Sequence, residues 1–235
     1  MQGNAIFGLV ASDPEAGQFG VALASRALAG GGRFLSMRSN AGAVITSRIQ
    51  RGKEPGRALD LLGANFNAAY VRDGIVASGE EWCSGQLVVA DRHGGYAGVE
   101  GADAERECGC VAQEGVAAFG AGLADLAALH AISRPRDKTI ALDAYLVREL
   151  ERGSKALKGV AFRSAAVVVF GPLDVSTTDL RVDMHDTPVA ELVSLWEEYE
   201  HYKAYYRRRS DQPTITESQE DFARELEARL AREKA

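Results

Sequence analysis

Residues 5–29 read AIFGLVASDPEAGQFGVALASRALA, and this stretch decides the fold. Two apolar runs, Ile6–Ala11 and Phe19–Ala24, flank Ser12-Asp13-Pro14-Glu15-Ala16-Gly17. Asp opening a turn, Pro presetting φ and Gly accepting a positive φ predict a hairpin connection. Both arms are nearly continuous in apolar residues, as strands covered on both faces are. A first strand buried in this way makes the chemistry of its leading residues a functional question.

Outward from the hairpin, Gly30-Gly31-Gly32 lacks the following Lys-Ser/Thr of a phosphate loop and reads as a flexible connection or a close backbone approach. Ala41–Thr46 reads as a further buried strand. Ala58, Leu59, Leu61, Leu62 and Phe66 then repeat at helical spacing, with Pro55 near the first turn. Gln86–Asp91 and Tyr96–Val99, joined by Arg92-His93-Gly94-Gly95, predict a second hairpin. Cys108–Phe119 is strand-like. Helices are predicted over Leu123–Ile132, ended by Ser133-Arg134-Pro135, and over Thr139–Glu151, with Gly153 as the stop. Ser164–Phe170 is the clearest central strand, and Asp179–Asp183 alternates as an exposed or edge strand does.

Thr187 then caps a helix with Pro188 at its first position and Glu191 in its first turn. Val189, Leu192, Val193, Trp196, Tyr199 and Tyr206 give that helix a stripe suited to core or to a subunit interface. Asp211-Gln212-Pro213 breaks it. Glu217–Ala235 is a charged helix with a thin stripe, Phe222, Leu226 and Leu230, either frayed or docked on a partner subunit. Hairpins separated from paired helices do not make the alternating rhythm of a doubly wound fold. They predict an α+β domain over residues 1–207, in which two antiparallel sheets stack with helices outside, and a charged helical tail over 208–235.

The 235 residues carry a net charge of −6, which argues against nucleic-acid and anionic-membrane partners. Arg207-Arg208-Arg209 closes a helix, where cations complement the dipole. No run approaches the roughly 20 apolar residues of a membrane span, and no leader precedes the hairpin, so the expected location is cytoplasmic. Three cysteines do not make a disulfide framework. Cys108-x-Cys110, even with Cys83 and His93 nearby, lacks the second ligand pair of a structural zinc site, and Gly120-x-Gly122 is an incomplete phosphate fingerprint. No cofactor or metal is expected.

Three stretches, residues 10–26, residues 41–46 and residues 179–183 with 188–192, resemble the domain-of-unknown-function family 1028, whose members look like N-terminal-nucleophile (Ntn) hydrolases. The resemblance spans roughly Ala5 to Tyr202 and implies a four-layer αββα sandwich. It also implies a mature chain opening on Thr, Ser or Cys, whose side chain attacks an amide carbonyl with its own α-amine as base. At the position aligned with that Thr stands Ile6, and Met1-Gln2 should keep its methionine. A Trp-Ala-Gly-His-like segment of the family falls on Glu107–Cys110, a Gln-Gly-Asn segment on Phe119–Ala121, and a Gln after the third strand on Ser47.

Two readings follow. One is hydrolysis of an amide bond in a small metabolite or peptide through a diverged site. Its candidate catalytic residues are Ser25, Thr46 and Ser47, and its candidate binding residues are Arg26, Arg48, Arg163 and Ser164. Arg48 can hold a carboxylate bidentately, and the charge of Arg163 beside so apolar a strand calls for a partner. For Ser25, a structural hydroxyl bonded to backbone is the competing assignment. His130 and His201 read as solvated or satisfied core histidines, and His185 as part of a surface turn. The other reading is a non-catalytic relative that keeps the sandwich for binding or assembly. A homo-oligomer built through the Trp196–Tyr206 helix and the tail is expected in either case.

Overall fold

The computed structural model describes residues 5–47, 54–78, 85–101, 107–123, 125–157, 159–173, 175–212, 214 and 217–233. Met1-Gln2, Arg48, Cys83 and Pro213 therefore lie outside the described residues. The chain divides into two compact units, Met1–Val193 and Ser194–Ala235.

Ile6–Asp13 (β1) and Gln18–Ser25 (β2) form the predicted hairpin, in register from Ile6↔Ser25 to Asp13↔Gln18. Asp13 Oδ1 accepts from Ala16 N (3.1 Å), and Gly17 takes a φ of +63°. The other carboxylate oxygen of Asp13 pairs with Arg136. There follow Gly30–Arg33 (α1), Leu35–Arg38 (β3), Gly42–Thr46 (β4), Glu54–Gly63 (α2), Ala68–Ala77 (α3), Gln86–Asp91 (β5) and Tyr96–Glu100 (β6). The remainder is Gly109–Gln113 (β7), Val116–Ala121 (β8), Ala127–Ile132 (α4), Leu142–Ala156 (α5), Ser164–Phe170 (β9), Ser176–Val182 (β10), Pro188–Asp211 (α6) and Gln219–Glu233 (α7).

The strands make two sheets, ordered β10-β9-β2-β1-β8-β7 and β3-β4-β5-β6, antiparallel throughout. The mixed α+β class with two antiparallel sheets is as the sequence predicts, and β10 lies at a sheet edge as its alternation requires. Strand periodicity sorts the β1 side chains. Ile6 and Val10, with Val21 and Leu23 of β2, share a core with Ile45, Val88 and Ala90 of the smaller sheet. Phe7 points the other way, towards α5: a Cβ on Gly153 would lie 2.7 Å from its ring. Gly20 likewise admits Leu146 of α5, whose Cδ1 would stand 2.7 Å from an added Cβ. A second core joins α2 and α3 to the smaller sheet through Leu59, Leu62, Val71, Val44 and Val89.

Two local expectations need correction, and two stretches hold elements that the sequence reading did not name. Cys108–Phe119 holds two strands, β7 and β8, because Glu114 and Gly115 turn the chain at φ of +31° and +80°. Gly153 does not stop α5; it sits inside the helix where the Phe7 ring leaves no room for a side chain. The segment between Arg26 and Asn40 holds a short helix and an edge strand, with Gly31 approaching so closely that a Cβ would lie 2.6 Å from that of Ala166. An unforeseen helix, α3, follows α2; Asn67 caps it by accepting from Tyr70 N (2.8 Å), and Ala68, Val71 and Ile75 bury one face.

Candidate functional site

The register gathers the candidate residues at one end of each sheet. Ile6 opens β1 opposite Ser25, the last residue of β2, and Ala121, the last of β8. Ser25 in turn faces Ser164, the first residue of β9. In the smaller sheet Thr46 ends β4 opposite Leu87. The ends are joined across the sheets by Gln86, a buried side chain whose Nε2 donates to Gly109 O (2.7 Å). Within the smaller sheet, Thr46 N donates to Phe34 O (3.0 Å), extending the β3–β4 pairing by one residue.

Ser25 and Ser164 are fully buried and lie side by side over Gly30. The Ser25 hydroxyl donates to Ala5 O (3.2 Å) and accepts from Ala27 N (3.1 Å). The Ser164 hydroxyl donates to Ala27 O (2.7 Å) and accepts from Gly30 N (2.9 Å). A hydroxyl has one proton to give, and each of these gives it to a carbonyl. The pair thus satisfies the backbone groups that the chain leaves unpaired where it departs from β2 into α1. Arg163 N donates to Ser25 O (2.8 Å) and Arg26 N to Ala5 O (2.8 Å), which locks the same corner.

Ser47 does comparable work on the other sheet. It is buried, and its Oγ accepts from Gln86 N (2.8 Å) while its own N–H donates to Gln86 O (3.0 Å). Thr46 and Arg26 are half-buried and Arg163 is exposed; Arg48 lies outside the described residues. The structure therefore brings Ser25 to Ser164 and Ser47 to Gln86. It puts no histidine or carboxylate within hydrogen-bonding distance of the Ser25, Ser47 or Ser164 hydroxyl among the described residues. His185 enters this corner through its backbone, donating its N–H to Arg163 O (2.9 Å), and its Nδ1 faces Thr187 in an exposed turn.

Ile6 is the residue at which the sequence reading expected a nucleophile in hydrolytic relatives. It is 1% exposed and packs in the intersheet core with Phe34, Phe119 and Ala121. Among the described residues, a carboxyl pushed upwards by burial is Glu149, on α5 rather than at these strand ends; Arg152 and Arg134 partly offset that rise. Gln86 and Gly30 are the participants that motif reasoning overlooks. Gln86 opens an otherwise apolar run, and a buried amide in that place must bond.

Among solved structures, the crystal structure of protein SPO2555 from Silicibacter pomeroyi, described by a DUF1028 family model, is 25% identical to this chain. It matches with a TM-score of 0.73 over 83% of this chain and 85% of its own. No curated protein matches. A model of a family of unknown function, DUF1028, matches residues 6–192, and the chain belongs to that family.

Proposed function

We propose that this chain is a non-catalytic relative of the Ntn hydrolases that keeps an αββα sandwich for binding or assembly. The layers of that reading are α4 and α5, the six-stranded sheet, the four-stranded sheet, and α2 with α3. The observation that carries it is the filled position at the start of β1. A buried Ile6 replaces the attacking side chain, and the nearest serine hydroxyls are spent on backbone groups. Nucleophilic catalysis needs a hydroxyl within reach of a base and of an incoming carbonyl. Ser25, which holds Ala5 O and Ala27 N at 0% exposure, offers neither. Amide hydrolysis through Ser25, Thr46 and Ser47 is the competing reading.

The ligand this reading favours is a carboxylate-bearing small molecule or peptide at the exposed rim of the same strand ends, where Arg163 presents its guanidinium. Intact mass spectrometry after exposure to an electrophilic β-lactone tests the assignment. The expected mass is that of the unmodified chain. A covalent adduct mapped to Ser25, Thr46 or Ser47, or to a mature amino-terminal Thr, Ser or Cys, overturns it.

A further inference from the structure

The strand β10 lies at an edge of the six-stranded sheet, with β9 as its one strand neighbour among the described residues. An edge strand turns half of its N–H and C=O groups away from the sheet, where they can template another strand. The open run here has definite ends. Its pairing with β9 is irregular between Ser176 and Thr178, and the carbonyl of Asp183 accepts from Ala29 N (2.9 Å). Between these limits lie five residues in regular register, Thr178 to Val182, centred on Leu180.

The side chains of this run divide between two faces. Thr178 and Val182 are buried and Leu180 is half-buried, and the Thr178 hydroxyl donates to Asp143 Oδ2 of α5 (3.0 Å). Asp179 and Arg181 stand on the other face, where a Cβ on Gly31 of α1 would lie 3.8 Å from Arg181 Cδ. Both are exposed, and they pair at two points, Nε to Oδ1 (2.7 Å) and Nη2 to Oδ2 (3.1 Å). A single charge on an edge repels a copy of itself. An acid and a base two residues apart do the opposite in one register, because directly opposed residues of antiparallel strands share a face.

We propose that β10 pairs antiparallel with β10 of a second copy about a two-fold axis at Leu180, joining two six-stranded sheets edge to edge. In that register Asp179 of each copy opposes Arg181 of the other, so the four charges alternate in sign around the axis. On the α5 face Leu180 meets its own copy, and Thr178 meets Val182 of the second copy. Centring the axis on Asp179 or on Arg181 instead sets like charges directly opposite. The flanks agree with the Leu180 register. Leu173 and Val175, before the strand, are 60% and 51% exposed, and Met184, after it, is 64% exposed. The two-fold brings the start of each strand beside the end of the other, and with it these apolar side chains. The second copy thus sits on a sheet edge, not on the Trp196–Tyr206 helix, and the pairing holds whether or not the chain is catalytic.

Sedimentation equilibrium of the full chain over a range of protein concentrations should show a monomer–dimer equilibrium, weakened by salt. Asp179→Arg and Arg181→Asp each turn two attractive contacts across the axis repulsive and should each raise the dissociation constant roughly tenfold. The Asp179→Arg/Arg181→Asp double variant restores the alternation and should restore the dimer, with far-UV circular dichroism unchanged in all three. Cross-linking reads the register separately. Leu180→Cys oxidised with copper–phenanthroline should give a disulfide between the two substituted positions, mapped by mass spectrometry, because that residue faces its own copy. Asp179→Cys, which faces Arg181, should not. A chain that stays monomeric at every concentration overturns the proposal. So does a dimer indifferent to both single charge variants, a double swap that fails to rescue, or the absence of the Leu180→Cys link.

Discussion

The substitution Ile6→Thr puts at position 6 the residue type that the sequence reading expected there, and the structure sets the cost. Ile6 is 1% exposed and packs with Val10, Leu23, Phe34, Ile45 and Phe119 between the sheets. Threonine keeps the β-branch, so strand propensity changes little. What is lost is a terminal methyl, as in Ile→Val, at about 0.5–1.5 kcal/mol. The second methyl on Cβ becomes a hydroxyl in an apolar cluster, which adds about 1–3 kcal/mol for a buried polar group without a partner. The sum is roughly 2–4 kcal/mol, or a fall in Tm of about 4–16 °C for a chain of this length. Urea unfolding followed by circular dichroism measures it, with the m-value required to stay constant so that the change reports native stability. A loss under about 1 kcal/mol would refute the reasoning, because it would mean that position 6 opens on a polar cleft able to solvate a hydroxyl. The same variant incubated with the β-lactone should remain unlabelled, since an internal threonine has no α-amine to activate it.

Other expectations can be measured on the same footing. Ser164→Ala leaves Gly30 N and Ala27 O without their partner at a buried corner and should cost about 2–3 kcal/mol in urea unfolding; a loss below 0.5 would be inconsistent with that role. Gly8→Ala would bring a Cβ to 2.3 Å from Ala22 O and should lower yield or Tm more than Gly74→Ala, which meets nothing within 4 Å. Asp13 is held below the usual carboxylate range by Ala16 N and by Arg136. Its contribution is therefore complete above the unfolded carboxylate value near 4 and is lost as pH falls through the lower folded one. Asp13→Asn should flatten the acid limb of stability against pH. For Glu149 the sign is reversed: burial favours its protonated form, so the folded protein binds the extra proton and stability falls as pH rises above the ordinary carboxylate value. Glu149→Gln should remove that decline, and an unchanged pH profile would count against it.

Much of the fold was legible because burial on two faces writes a recognisable pattern. The β1–β2 hairpin shows as two apolar runs around Asp-Pro-x-x-Gly, and β9 as Ala165-Ala166-Val167-Val168-Val169. Short edge elements leave no such trace. β3 is four residues long and none of them is fully buried, so its sequence carries almost no periodicity. Glycine misled in both directions. Gly153 looks like a helix stop, yet it is a packing position for Phe7, a long-range demand that no local rule contains. Gly115 looks like one small residue in a run, yet it turns β7 into β8. For the candidate site, the positions of Ser25 and Ser164 could be named from strand ends alone. The structural role of Ser25 could be weighed, since Ala27 N is local and Ala5 O follows from the β1–β2 hairpin; that of Ser164 could not, because Ala27 O and Gly30 N become its neighbours only once β9 lies beside β2.

Under the proposed non-catalytic reading, the two serines need no catalytic reason for their place. The corner where β2 turns into α1 must satisfy its backbone whatever the first strand carries, since each buried group left unpaired costs about 1–3 kcal/mol. Ser25 and Ser164 meet that demand with no reference to position 6. The folding of this corner is therefore sufficient reason for both serines. An aliphatic residue at position 6 does more for stability than a hydroxyl would, because its buried neighbours in the cluster, from Val10 to Ala121, are apolar. On this view the retained hydroxyls are evidence of architecture, and the identity of residue 6 is the evidence that bears on function.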